Sequence, residues 1–477
     1  MTVAHAFTDE LSRLDAVATA EKVRAKEVSV EEVVAAAVER VKAINPDLNA
    51  VACEDYDRAI TAARRADATG SAHAPDAGEF TGVPTFIKDM NDVAGLPTRN
   101  GSAAFANVAP AKTTSGIAQQ LFDMGTIGLG KSTLPEFGFV PSTEFPDGTA
   151  THNPWNTGHT PGGSSGGAGA LVAAGIVPIA HSQDGGGSIR IPAACNGLVG
   201  HKPTHGRLLP DPHGRLLPLN VVADGVLTRT VRDTCAYYQA ADAAYRKKSL
   251  KPLGNLTRPL NGPLRIGTLL DTVTGAVVDD VTRRTFDETV ALLESLGHQV
   301  EPLEAPFDIQ FAEDFIQYWS MLAWFVYYGG KALYDTTYDR SKMTTLSEGL
   351  AKQFAGAWKT TPGAIRRLRK ARQQFELATA RCDVMLSPTM TTLPPALGHL
   401  SVSVPFDTLF PRVEDWVGYT PLANATGAPA ITLPLGHDAD TNLPVGMMFS
   451  GHFGDDGLLL RLALQLEAAQ PFPTLAP

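Results

Sequence analysis

Charge is scarce in this chain of 477 residues: only 19% are Asp, Glu, Lys or Arg, and the 50 acidic against 40 basic residues give a formal net charge of −10. No run of basic residues appears, so the clustered Lys and Arg that carry nucleic-acid affinity are missing and no nucleic-acid partner is expected. Cysteine is scarce as well. Cys53, Cys195, Cys235 and Cys382 lie far apart and form no C-x-x-C pair, so neither a disulfide framework nor a zinc site is suggested; reduced, mostly buried thiols are expected. A long apolar run is also lacking. Residues 149–183 contain no charge, and a membrane span needs about 20 apolar residues. Yet Pro154, Pro161, Pro178 and a Gly-rich turn break this stretch, which reads as buried in a soluble core with no membrane partner. Asp9, Glu10, Arg13 and Asp15 interrupt the N-terminus before any apolar block forms, so no signal peptide is read and a cytoplasmic location is expected.

What is present is 44% hydrophobic residues, enough for a large core, and 44 glycines, which imply many tight turns. The first 70 residues read as helices: "SVEEVVAAAVERVKAI" puts Val30, Val33, Val34, Ala37, Val41 and Ile44 on one face, with Ser29 and Glu32 as a capping box. "TGVPTFIKDMNDV" reads as a short buried strand running into a loop. Further along, "SSGGAGALVAAG" reads as a small-residue helix and "IVPIAH" as a strand leading into "SQDGGGSIR". "LRIGTLL", "CDVMLSPT", "PAITLPLG" and "PVGMMFSG" read as strands; "DDVTRRTFDETVALLESLG" and "DGLLLRLALQLEAA" read as helices. Interleaved strands and helices predict an α/β fold with a central sheet. No repeat or low-complexity linker marks a boundary. A single domain over 1–477 is therefore expected, with helices of 1–75 packed on the core and a helical segment, 307–380, covering the pocket.

"GTIGLGKS", residues 125–132, fits the phosphate-binding pattern G-x-x-x-x-G-K-[ST]. That loop requires a strand before its first glycine and a helix starting at its Lys-Ser end. Here the order is inverted: the amphipathic helix "SGIAQQLFDM" leads into Gly125 and "TIGLG" is itself the strand, so no nucleotide binding is predicted.

Two Gly-Ser clusters stand close together, "PGGSSGG" (161–167) and "DGGGSIR" (184–190). The first fits the nucleophile-elbow pattern G-x-S-x-G, but a loop rather than a strand precedes it. In the second, glycines before a serine leave the amides of Gly185, Gly186, Gly187 and Ser188 clear of side chains, free to hold a developing oxyanion. One such donor is commonly worth about 100- to 1000-fold in rate. His201 and His205 are the nearest histidines downstream, but Pro203 keeps them off one helical face, and a structural or surface role is favoured for both. The remaining candidate base is Lys88, the lone charge closing "VPTFIK". Burial disfavours an ammonium and can produce an amine that is neutral near pH 7.

Together, "GVPTFIKDMNDV", "PGGSSGG" and "QDGGGSIR" resemble the amidase signature family. The likeness continues through "VKAINPDLNAV", "GKSTLPEFGF", "NPWNTGHTPGGSSGG", "ACNGLVGHKPTHG", "NATGAPAITLPLG" and "LPVGMMFSG", in the family's order over nearly the whole chain. It implies the amidase-signature fold, a large mixed twisted sheet flanked by helices on both faces, and an amidohydrolase that needs no metal or other cofactor. It further implies a triad: Ser188 as nucleophile, Ser164 as a relay serine after a cis peptide with Gly163, and Lys88 as base. Asp184 and Arg190 match flanking positions expected to orient the loop, and Ser165 is expected to act as a supporting donor. Gly185 departs from the family, which commonly carries a bulkier residue there, often Thr.

The same segments look most like the branch of aryl acylamidases, nylon-oligomer hydrolases and carbamate-cleaving enzymes, which implies a small-molecule secondary amide or carbamate as substrate. Phe139 and Gly138 fall near the family's substrate-facing segment, and Trp319, Leu322 and Trp324 are candidate pocket walls. A glutamine-dependent amidotransferase component, which shares the triad but delivers ammonia to a partner protein, is the alternative; a homodimer is left open.

Overall fold

The computed structural model describes residues 2–74, 77–210, 214 and 217–476. Residue 75, the last of the expected N-terminal segment, lies outside the described residues. Strands in chain order are β1 (Val51–Glu54), β2 (Pro84–Lys88), β3 (Ile127–Ser132), β4 (Ile179–Asp184), β5 (Val199–Lys202), β6 (Ala223–Thr228), β7 (Arg265–Thr268), β8 (Gln299–Pro302), β9 (Val384–Pro388), β10 (Ala430–Asp438) and β11 (Leu443–Gly451). Eight of them form one mixed sheet in the order β4-β6-β5-β10-β11-β9-β7-β8; β7 runs parallel to both β8 and β9, and the other pairs are antiparallel. A separate three-stranded sheet, β1-β3-β2, lies beside the β4 edge.

Successive side chains on a strand point to opposite faces, and the large sheet uses both. Ile179 and Val226 belong to one apolar cluster with Tyr237, Phe286 and Leu459, from the helices Val231–Ala244, Asp280–Ser295 and Asp456–Ala469. Their neighbours Ala180 and Leu227 face Leu171, Val172 and Val34, from the helices Gly166–Ala173 and Val30–Leu48. This is the expected α/β architecture, a large mixed sheet between helical layers. Small residues let the helix Gly166–Ala173 lie close to its surroundings: a Cβ at Gly169 would sit 2.6 Å from the Asn196 amide nitrogen.

The Ser29–Glu32 capping box forms as read, and the helix it opens runs on to Leu48. Three readings need correction. The first 70 residues are not all helical, because β1 pairs antiparallel with β3. The strand placed at "IVPIAH" starts at Ile179 and continues to Asp184, so it reaches the glycine loop without a break. The short strands β5, β6 and β8 lie outside the segments read as strands from the sequence. All four cysteines are free thiols. Among the described residues no helix is long and apolar enough to cross a membrane.

Candidate active site

β2 ends on Lys88 inside the protein, 1% exposed. Its Nζ donates to Ser164 Oγ at 2.8 Å, Ser165 Oγ at 2.9 Å and the Gln183 carbonyl at 3.2 Å, and none of these partners is an anion. Burial brings the Lys88 pKa down to about 7, against the pull of Asp184 and Asp224, whose charges favour the protonated form. The Gly163–Ser164 peptide is cis. Gly138 backs Ser164: its φ is +70° and a Cβ there would sit 2.7 Å from Ser164 Oγ, so only glycine fits. Ser165, expected as a supporting donor, touches the lysine nitrogen directly and also bonds Gln183.

β4 leads into the second glycine cluster, and Asp184 organises it. Its carboxylate accepts from the amides of Gly187 (2.7 Å) and Ile189 (3.1 Å), from Arg190 Nε and Nη2 (both 3.0 Å), and from Asn424 Nδ2 (2.8 Å). Burial alone would raise the Asp184 pKa, but the Arg190 guanidinium and the Asn424 amide outweigh it and hold the carboxyl well below the ordinary range. Asp184 and Arg190 are fully buried, so this is no surface ion pair. One expectation changes here. The Gly187 amide, counted among four candidate oxyanion donors, is committed to Asp184. Among the described residues the amides of Gly185, Gly186 and Ser188 have no protein acceptor.

Lys88, Ser164, Gly185, Gly186 and Ser188 border one cavity of about 560 Å³, within the size range of small-molecule sites. Among the described residues Ser188 Oγ makes no hydrogen bond, so the Ser164–Ser188 step of the implied relay is not closed by a direct contact; catalytic hydrogen bonds commonly tighten only in the complex with substrate. Phe139, Gly138, Trp319 and Leu322 all border the cavity, with Trp319 and Leu322 on the helix Ile309–Leu333. Trp324, on the same helix, does not: its ring packs on Phe325, Tyr328 and Phe354. A Cβ at Gly185 would meet Val222 Cγ2 at 3.7 Å, an ordinary contact, so the missing side chain is not forced by packing and leaves extra room beside Ser188.

The phosphate-loop match dissolves on inspection of β3. Lys131 is buried and paired with Asp89 at 2.7 Å, and it donates to Pro97 O and Thr98 Oγ1. His201 is also buried, against Asp456 and Tyr238, in a structural setting.

The Amidase family profile matches residues 32–460. The chain belongs to the amidase signature family. It is an amidase, a hydrolase of carbon–nitrogen bonds. The amidase-type protein AmiC of Mycobacterium tuberculosis is 44% identical over 474 residues, covering 99% of this chain and 98% of that protein. The A component of the glutamyl-tRNA(Gln) amidotransferase of Acidothermus cellulolyticus is 32% identical over 492 residues, covering 96% of this amidase and 95% of that protein. Among solved structures, 6-aminohexanoate cyclic dimer hydrolase complexed with substrate superposes with a TM-score of 0.85 at 29% identity, covering 97% and 98% of the two chains. A bacterial aryl acylamidase superposes with a TM-score of 0.84 at 25% identity, covering 96% of each.

Sequence reasoning missed His181, Gln183 and Asp224, which surround the lysine from behind. A signal was there: His181 and Gln183 are two residues apart on one strand, hence on one face, immediately before the glycine loop.

Proposed function

We propose that this amidase cleaves secondary aryl or alkyl amides, with carbamates and esters as further substrates, through an acyl-enzyme on Ser188. Neutral Lys88 accepts a proton through the Ser164 hydroxyl from Ser188, whose oxygen attacks the substrate carbonyl. The amides of Gly185, Gly186 and Ser188 hold the oxyanion. The proton returns by the same route to the leaving amine, and water then hydrolyses the acyl-enzyme. The observation that carries this reading is the lysine itself: a buried amine with only neutral partners among the described residues, 2.8 Å from Ser164 Oγ, at the wall of the cavity that Ser188 lines.

The cavity wall supports the substrate class. Phe139, Phe311, Trp319 and Leu322 offer apolar surface to an aryl or alkyl group, and proteins of the same fold include a cyclic-dimer hydrolase and an aryl acylamidase. The test combines mass-spectrometric mapping of a fluorophosphonate adduct with a panel of anilides, alkyl amides, carbamates, esters and primary amides. The expected result is a single adduct on Ser188 and turnover of anilides by the isolated chain. Activity confined to primary amides overturns the reading. The amidotransferase alternative has the Acidothermus relative in its favour; glutaminase activity together with co-purifying partner proteins supports it, and anilide turnover by the lone chain excludes it.

A further inference from the structure

The proposed base and nucleophile sit on different sheets. Lys88 closes β2 of the three-stranded sheet, whereas Ser188 follows β4, the edge of the eight-stranded one. No backbone ladder joins β2 to β4 among the described residues. Side chains bridge the seam instead. Thr85 Oγ1 donates to the Ile179 carbonyl at 3.0 Å, and the Lys88 backbone amide donates to His181 Nδ1 at 3.4 Å. A ring that accepts at Nδ1 carries its proton at Nε2, and this nitrogen faces Asp224 Oδ1 at 3.2 Å. The same Asp224 oxygen accepts from Gln183 Nε2 at 3.1 Å, while the Gln183 carbonyl accepts from Lys88 Nζ. One carboxylate on β6 therefore fixes both residues of β4 that hold the lysine.

We propose that His181 and Asp224 are positioning residues for the hydrolysis: they register the strand carrying Lys88 against the strand leading to Ser188, with the Asp224 carboxylate as their shared anchor. The proposal rests on Lys88 being the base. Neither His181 nor Asp224 borders the cavity, so both act through Lys88 and Gln183. Among the described residues the charged groups around the amine are few. From the end of β4 comes Asp184, itself neutralised by Arg190; from β6 comes Asp224. On the β2–β3 side, Asp89 and Lys131 neutralise each other. Lys202, on β5, lies within reach of Asp184. Among the hydrogen bonds of the described residues, Asp224 Oδ1 is met by His181 and Gln183 and by no lysine or arginine, so its charge is left to act on Lys88.

The sign follows. Hydrolysis needs the neutral amine, so kcat/KM rises with pH through the Lys88 pKa of about 7. Asp224→Asn keeps the shape and removes a charge that favours the ammonium. The acid limb should then move to lower pH, by about one unit, with KM unchanged within about twofold. Asp224→Ser should move it in the same direction, so one variant that fails to fold leaves the other to decide. His181→Asn keeps an acceptor for the Lys88 amide and His181→Leu does not. The Leu variant should lose roughly tenfold in kcat from an unsatisfied buried amide and a shifted strand, and the Asn variant should recover most of that loss. Folding is checked by thermal unfolding of each variant. An acid limb that stays put or moves up in a folded Asp224 variant overturns the electrostatic part; equal kcat for His181→Leu and wild type overturns the seam. If Lys88→Met retains full activity, it is the base assignment that falls.

Discussion

Lys88 and Lys131 stand on the paired strands β2 and β3, where Ile87 lies opposite Lys131 and Lys88 opposite Ser132. Both side chains are withdrawn from solvent, at 1% and 0% exposure. Their surroundings differ in one respect. Lys131 meets the Asp89 carboxylate at 2.7 Å, together with a carbonyl and a hydroxyl. Among the described residues Lys88 meets two hydroxyls and a carbonyl, with no carboxylate in contact. An ion pair offsets the desolvation of an ammonium, and neutral partners do not. Similar burial thus leaves one lysine in an ion pair and the other among neutral partners, its pKa brought down to about 7. The sequence motif around Lys131 suggests a ligand site, but chemistry follows from partners and cavity, and those belong to Lys88.

The largest expected effect breaks the comparison at Lys88. Lys88→Met keeps most of the volume and removes the nitrogen, and kcat/KM should fall by roughly 10³-fold or more, in line with the loss of a general base. Fluorophosphonate labelling of Ser188 should slow with it, while the thermal midpoint falls little, because no ion pair is lost. Labelling at the wild-type rate would show that Ser188 is activated by something else.

Much of this contrast is legible in the sequence. Lys88 stands out as the lone charge in an apolar strand, and three consecutive glycines before Ser188 announce free backbone amides. The commitment of the Gly187 amide is not legible, because it depends on Asp184 turning its carboxylate back into its own loop under the grip of Arg190 and Asn424, the latter 240 residues away in sequence from Asp184. The division into two sheets is hidden for a related reason. β1 is four residues long and lacks a clean alternation of buried and exposed positions, and its partner β3 lies far along the chain. His181 carries no local signal of its partner, Asp224, which lies 43 residues further along the chain. Trp324 has the composition of a pocket wall but the wrong phase on its helix, a difference that only the packing of Phe354 and Tyr328 against it settles.

Lys131→Met should affect stability rather than chemistry. It leaves the Asp89 carboxylate buried without its cation, a loss that costs about 3 to 5 kcal/mol in comparable sites. Asp89 also accepts from the Arg99 amide, so the loop after β2 should loosen. A lowered thermal midpoint is expected, with the pH at which activity rises unmoved in the folded fraction. A shift of that acid limb by as much as removing Asp224 produces would show that the Lys131–Asp89 pair also sets the charge on Lys88, and the two lysines would no longer be separable.

A third buried lysine sharpens the contrast with the smallest effect. Lys202, at the end of β5, is fully buried, and burial, aided by the nearby Arg190, brings its pKa to about 7, as for Lys88. Its Nζ donates to the Pro203 carbonyl, and it does not border the cavity. If a lowered proton affinity were enough to make a base, Lys202 would qualify; with no hydroxyl among the described residues bonded to its nitrogen, it should not. Lys202→Met is therefore expected to leave kcat/KM within about threefold of wild type. Its signature should lie in stability. Between the folded pKa of about 7 and the unfolded value of 10.5 the unfolded chain binds the extra proton, so this lysine makes wild-type stability rise with pH across that window. The Met variant loses that slope, so its stability relative to wild type should be most favourable near pH 7 and decline toward pH 10. Denaturant unfolding at the two pH values reads this directly. A variant that instead loses activity in step with Lys88→Met would mean that Lys202 governs the Asp184 loop, and that the two sheets share one proton balance.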